Sequence, residues 1–134
     1  MDDETILKAA KLAGVDDFIK RHPSGYSLMV NEGGSSLSGG QRQSIGVARA
    51  LLLESPIYLF DEPTNAMDAK TEQLMIDRLK KGTLNRTTLV VTHKMSLLQL
   101  TDRLMVMDSG KLIADGNKQT VLEALKTGKL NKNS

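Results

Sequence analysis

Apolar positions recur at helical spacing along several stretches of the chain and run without interruption along others. Ile6, Ala9, Ala10 and Ala13 fall on one helical face, and acidic residues precede them, where the helix dipole favours negative charge. Gly14 breaks that helix, and Asp16 is placed to cap a short second one containing Phe18 and Ile19, ended by Pro23 and Gly25. Residues 31–40 are rich in Gly and Ser and predict a loop. A longer helix is expected over residues 39–54, with Ile45, Ala48 and Leu52 on one face and Pro56 closing it.

The uninterrupted runs are strand-like. Ile57-Tyr58-Leu59-Phe60 is short, apolar and bounded by Pro56 and acids, the pattern of a strand buried on both faces. Residues 87–92 give a second such strand and residues 104–107 a third. Between the first two, Asp68 reads as the N-cap of a helix that turns Met75, Ile76 and Leu79 inward. Ser109-Gly110 marks a tight turn into residues 111–115, a terminal hairpin. Val121, Leu122 and Leu125 define a last helix stopped by Gly128, and the final six residues are polar and expected to fray. Strands alternating with helices after Pro56 predict an α/β sheet.

Composition narrows the reading without directing it. The 134 residues suit one domain, with 40% hydrophobic and 25% charged residues as in ordinary globular proteins. A net charge of +2 gives no reason to expect a nucleic-acid or membrane surface. No cysteine is present, which excludes disulfides and thiolate metal sites. The N-terminus is acidic where a secretory signal would be basic, and no apolar run approaches the roughly 20 residues that span a bilayer.

Three segments carry candidate chemistry. In Leu37-Ser38-Gly39-Gly40-Gln41, Ser38 can be an ordinary N-cap followed by two glycines. Glycines in a first turn give up about 1 kcal/mol each against alanine, so they also suit a backbone that something must approach closely. Free NH groups at a helix N-terminus form an anion site. Asp61 and Glu62 follow a predicted strand, where open α/β sheets bind ligands. Asp61 suits Mg²⁺ and Glu62 suits a base that deprotonates water; equally, two acids there can cap a helix. Pro63 keeps Glu62 extended. His93 follows the second strand and is either an ordinary surface or core histidine or a third group converging with Asp61 and Glu62.

Taken together, L-S-G-G-Q-R-Q, I-Y-L-F-D-E-P-T-N-A-M-D and V-V-T-H resemble the ATP-binding cassette (ABC) family, in its order and at its spacing, over nearly the whole chain. The resemblance implies a partial P-loop NTPase fold: a helical subdomain with the signature helix in residues 1–54, then the C-terminal half of an α/β core, mainly parallel and ending in a hairpin, in residues 55–134. It implies ATP and Mg²⁺ as ligands. Ser38, Gly39, Gly40 and Gln41 would form the signature facing the γ-phosphate of ATP on an opposing subunit. Asp61 would serve Mg²⁺, Glu62 would be the catalytic base, and residues 65–68, ending in Asp68, would form the loop that communicates across the dimer. His93 would contact the γ-phosphate. The flanking residues look closest to type I secretion exporters of RTX toxins and adhesins. Such a parent would pair two ATPase domains with a transmembrane domain at the cytoplasmic face of a bacterial inner membrane, with no nucleic acid involved.

No G-x-x-x-x-G-K-[ST] occurs in the sequence. The backbone cradle and lysine that hold the β- and γ-phosphates are therefore lacking, and the chain alone is expected to be inactive. In the family's sheet the strand leading to that loop lies between the His93 strand and the strand of residues 104–107. Its absence predicts unpaired edges, closed by a rearranged sheet or by oligomerisation. Two other readings are a truncated binding module that offers residues 38–41 to a complete cassette, and a non-transport relative acting in chromosome maintenance or DNA repair.

Overall fold

A computed structural model describes residues 2–129. By internal contacts the chain forms two compact units that divide after His93. The predicted α/β class holds: a parallel strand pair lies in the first unit and an antiparallel hairpin in the second.

In the first unit, α1 (Asp3–Leu12) begins at Asp2, whose carboxylate accepts from the Thr5 amide at 2.8 Å. Ala9, Ala10 and Ala13 are buried, and these small side chains let α1 pack against three partners. The partners are α2 (Val15–Ile19), α3 (Gly39–Leu52) and α4 (Ala69–Gly82). Met75, Ile76 and Leu79 of α4 are at most 2% exposed, so the predicted inward face is the observed one.

The N-cap of α2 differs from expectation. Gly14 occupies it in the left-handed region, at φ +74°, and Asp16 lies inside the helix. The Asp16 side chain turns inward, accepting from the Tyr26 hydroxyl at 2.8 Å and pairing with Lys20 at 2.7 Å. Burial of the Tyr26 hydroxyl, with the Asp16 charge beside it, pushes the phenol up to about 12. The loop predicted over residues 31–40 holds a 3₁₀ turn at Glu32–Gly34, and another, Gly25–Ser27, precedes it.

Strand β1 (Ile57–Asp61) pairs in parallel with β2 (Thr87–Val91), with α4 as the crossover. The run predicted to be buried on both faces is covered on one. Tyr58 and Phe60 are buried and their rings stack with centroids 6.0 Å apart. Ile57, Leu59, Leu89 and Val91 are exposed on the opposite face. A continuous apolar run states that both faces avoid water; it does not state which atoms cover them.

The second unit comprises a 3₁₀ segment Met95–Leu100, the hairpin strands β3 (Arg103–Asp108) and β4 (Lys111–Asn117), and α5 (Lys118–Lys126). Ser109 and Gly110 both have positive φ, 48° and 75°, as a two-residue hairpin turn requires. Arg103 and Asp115 close a bidentate ion pair across the hairpin at 2.6–2.7 Å. Among the described residues the four strands form two separate two-stranded sheets, β1–β2 and β3–β4. The fraying expected of the C-terminus falls mostly on residues 130–134, outside those described.

Candidate functional site

The signature segment is first of all a well-made helix start. Ser38 caps α3: its hydroxyl accepts from the Gln41 amide at 3.2 Å, while Gln41 Oε1 accepts from the Ser38 amide at 2.9 Å. Arg42 donates to the carbonyls of Leu37 (2.8 Å) and Gly34 (3.3 Å), tying the preceding loop to the helix. The close approach that the glycines predict is met from within the chain. A methyl at Gly39 would lie 3.0 Å from the Ala66 Cβ, and one at Gly40 would lie 3.2 Å from the Ala66 carbonyl oxygen. The segment after β1 therefore packs on the first turn of α3. A cavity of about 400 Å³ opens beside this junction, lined among others by Ser38, Gln41, Met67, Asp68 and Arg78.

At the end of β1 the two acids part company. Asp61 is exposed on the open face of the sheet, in register with Val91. Its carboxylate engages no protein donor among the described residues. One hard, solvent-facing carboxylate at a strand end fits a Mg²⁺ ion that completes its shell with water and phosphate oxygens.

Contrary to the extended conformation expected of a residue before proline, Glu62 adopts φ +44°, in the left-handed region that L-residues rarely occupy. Its amide donates to the Val91 carbonyl at 2.9 Å, which extends the β1–β2 pairing by one residue and reverses the chain there. The carboxylate thereby turns towards the end of β2. It accepts from the Thr92 hydroxyl at 3.0 Å and the His93 amide at 3.1 Å, and its Oε1 contacts His93 Nδ1. Partial burial pushes the Glu62 carboxyl up, but the Thr92 hydroxyl, the His93 amide and the imidazole outweigh it and hold the group below its ordinary value. The His93 side chain is 79% exposed and that of Glu62 24%, so the contact lies at the surface with its histidine outermost.

Beyond Glu62 the chain is tightly fixed. Pro63 and Thr64 are buried, and the Thr64 hydroxyl donates to buried Glu72 at 2.7 Å. Asp68 caps α4, accepting from the Thr71 amide at 2.9 Å, and this bond first of all keeps its carboxyl below the usual range. Of the residues expected to converge, Glu62 and His93 meet, whereas Asp61 bonds to neither. Thr92 had no role in the sequence reading and touches the Glu62 carboxylate directly; its place before His93 at a strand end was the available signal. Gln43 was equally unassigned. It bridges α3 to this turn, and no local pattern announces it.

The sequence profile described as ABC transporter matches residues 2–65. The ATP-dependent lipid A-core flippase of Saccharophagus degradans is 45% identical over 126 residues, covering 92% of this chain and 21% of the flippase. The leukotoxin export ATP-binding protein LtxB of Aggregatibacter actinomycetemcomitans is 43% identical over 123 residues, 92% of this chain and 17% of that protein. The solved structure of a bacterial Atm1-family ABC exporter with ATP bound superposes with a TM-score of 0.84 at 34% identity, covering 99% of this chain and 24% of that one. The chain thus spans about a fifth of the length of the relatives it matches.

Proposed function

The chain belongs to the ABC transporter family, and we propose that it forms the signature-to-switch part of the ATP-hydrolysing domain of an exporter. In this reading residues 1–54 belong to the helical subdomain and residues 55–134 to the C-terminal half of the catalytic core. Two such domains pair, and each works with a transmembrane domain. Among the described residues no helix is long and apolar enough to cross a membrane. The site of action is the cytoplasmic face of a bacterial inner membrane.

The observation that carries the reading is the meeting of Glu62 with Thr92 and His93 at adjoining ends of β1 and β2. Glu62 is the general base: its carboxylate, ionised at neutral pH, takes a proton from the attacking water. His93, outermost of the pair, faces the γ-phosphate, and a shift of its ring opens Glu62 Oε1 to that water. Mg²⁺, when held by Asp61, neutralises charge on the phosphates. Ser38, Gly39, Gly40 and Gln41 contribute a helix N-terminus to the nucleotide of the opposing domain, and Asp68 closes the loop between the two sites. The β- and γ-phosphates are gripped by residues other than these, so the chain by itself does not turn over ATP.

Export of a protein toxin or adhesin is the finer assignment, supported by the leukotoxin-export relative and by the residues flanking the motifs. The test of the catalytic assignment is Glu62→Gln in the full-length exporter. Turnover should fall at least about 100-fold with ATP affinity preserved. Undiminished turnover would contradict the assignment.

A further inference from the structure

The signature helix and the catalytic turn are joined by one side chain whose two ends are both used. Gln43 lies on α3, half-buried, just beyond the capping box. Its Nε2 donates to the Glu62 carbonyl at 3.2 Å, and its Oε1 accepts from the Ala66 amide at 2.9 Å. These bonds reach 19 and 23 residues along the chain.

Their position explains what they do. Glu62 sits at φ +44°, a conformation that persists only where surrounding contacts over-determine it. Its amide is fixed from the β2 side by Val91. Its carbonyl, the one preceding Pro63, is held by the Asn65 amide at 3.2 Å and by Gln43. A turn closed by the Asn65 amide alone moves as a local loop. The bond from Gln43 ties the same carbonyl to α3, whose first turn carries Ser38, Gly39 and Gly40. The second bond from Gln43 fixes Ala66, the residue that packs on Gly39 and Gly40. The start of α3 and the turn at residues 62–66 are thus linked by contact at one point and by a two-ended polar bridge at another.

We propose that Gln43 is a positioning residue for the base: it locks the left-handed turn that aims the Glu62 carboxylate and couples that turn to the signature helix. This inference rests on the assignment of Glu62 as base. Engagement of the signature by a nucleotide on the opposing domain then bears on the aim of Glu62 within its own chain. Gln43 acts through the Glu62 backbone, by its bond to that carbonyl.

The experiment uses the full-length exporter in lipid, with Gln43→Met as an apolar near-isostere and Gln43→Glu, which keeps an acceptor for Ala66 and loses the donor to Glu62. Both should lower kcat about tenfold, as expected for a misaimed base, with the KM for ATP within about twofold. In a Glu62→Gln background, Gln43→Met should have no further effect on residual turnover, because the group it aims is gone. An equal loss in both backgrounds, or a rise in KM with kcat unchanged, would overturn the proposal. If Gln43→Met does not fold, the same comparison made with Gln43→Glu decides. Unchanged turnover in Glu62→Gln alone would instead remove the base assignment, leaving the two failures distinguishable.

Discussion

Gly39 and Ala66 lie so close that a single methyl added to the glycine would stand 3.0 Å from the alanine Cβ. The glycines of the signature therefore answer to a neighbour in the same chain before any nucleotide is considered. Gly39→Ala, at the first position of α3, gains less than the ~1 kcal/mol of helix propensity that an interior position offers, and overpacks this contact, which costs about 1–3 kcal/mol. A net loss of stability is expected, and Ala66→Gly in the same chain should recover it. A double-mutant cycle on chemical denaturation should show a favourable coupling of about 1 kcal/mol. Strict additivity would mean that the contact does not dictate the glycine.

Tyr26 anchors the segment before the signature through Asp16. Tyr26→Phe removes a hydrogen bond to a charged acceptor, and because Tyr26 is 47% exposed the expected loss is only about 1 kcal/mol. The hydrogen bond from Lys20 is the main cause that lowers the Asp16 pKa; burial opposes it, and Tyr26 lowers the pKa further. A depressed carboxylate contributes stability above its unfolded pKa and loses it as pH falls through the folded value. The raised phenol works in the other sense, contributing below its unfolded pKa and losing its share as pH rises through about 12. The stability gap between wild type and Tyr26→Phe should thus be level across neutral pH and shrink at both extremes. A gap that is constant down through the carboxylate range would contradict the role given to Asp16.

Thr92 is one of the groups that hold the Glu62 carboxyl down against the upward push of burial. Thr92→Val deletes the hydroxyl that donates to Oε2 and leaves burial, the raising influence, less opposed. The Glu62 pKa should move up towards its ordinary value. The acid limb of the pH–kcat/KM profile of the full-length exporter should move to higher pH with it. An acid limb that stays where it was would show that Glu62 does not govern it.

How much of this was legible in the sequence depended on the range of each interaction. The capping of α3 and α4 by Ser38 and Asp68, the hairpin turn at Ser109-Gly110 and the inward face of α4 all rest on residues within a turn of one another. Local pattern sufficed for them. Asp16 misled because an acid at a helix start can cap from several positions; the left-handed Gly14 moved the cap and left Asp16 to a partner ten residues on. The meeting of Glu62 and His93 was legible only as two strand ends in one parallel sheet. Gln43 was not legible at all. A glutamine on a helix reads as solvent-facing, and its partners become neighbours only once α3 has docked on the turn after β1.

The open side of the β1–β2 pair has a thermodynamic consequence. Ile57, Leu59, Leu89 and Val91, between 46% and 70% exposed, share one face of the sheet, with Leu59 and Leu89 paired in register. Any surface that covers this face in the folded state and not in the unfolded one lends its binding free energy to folding. Where such a surface is bound, the melting temperature of the chain is no fixed property of its sequence. It rises with the concentration of whatever sits on that face, and goes on rising logarithmically after the face is full.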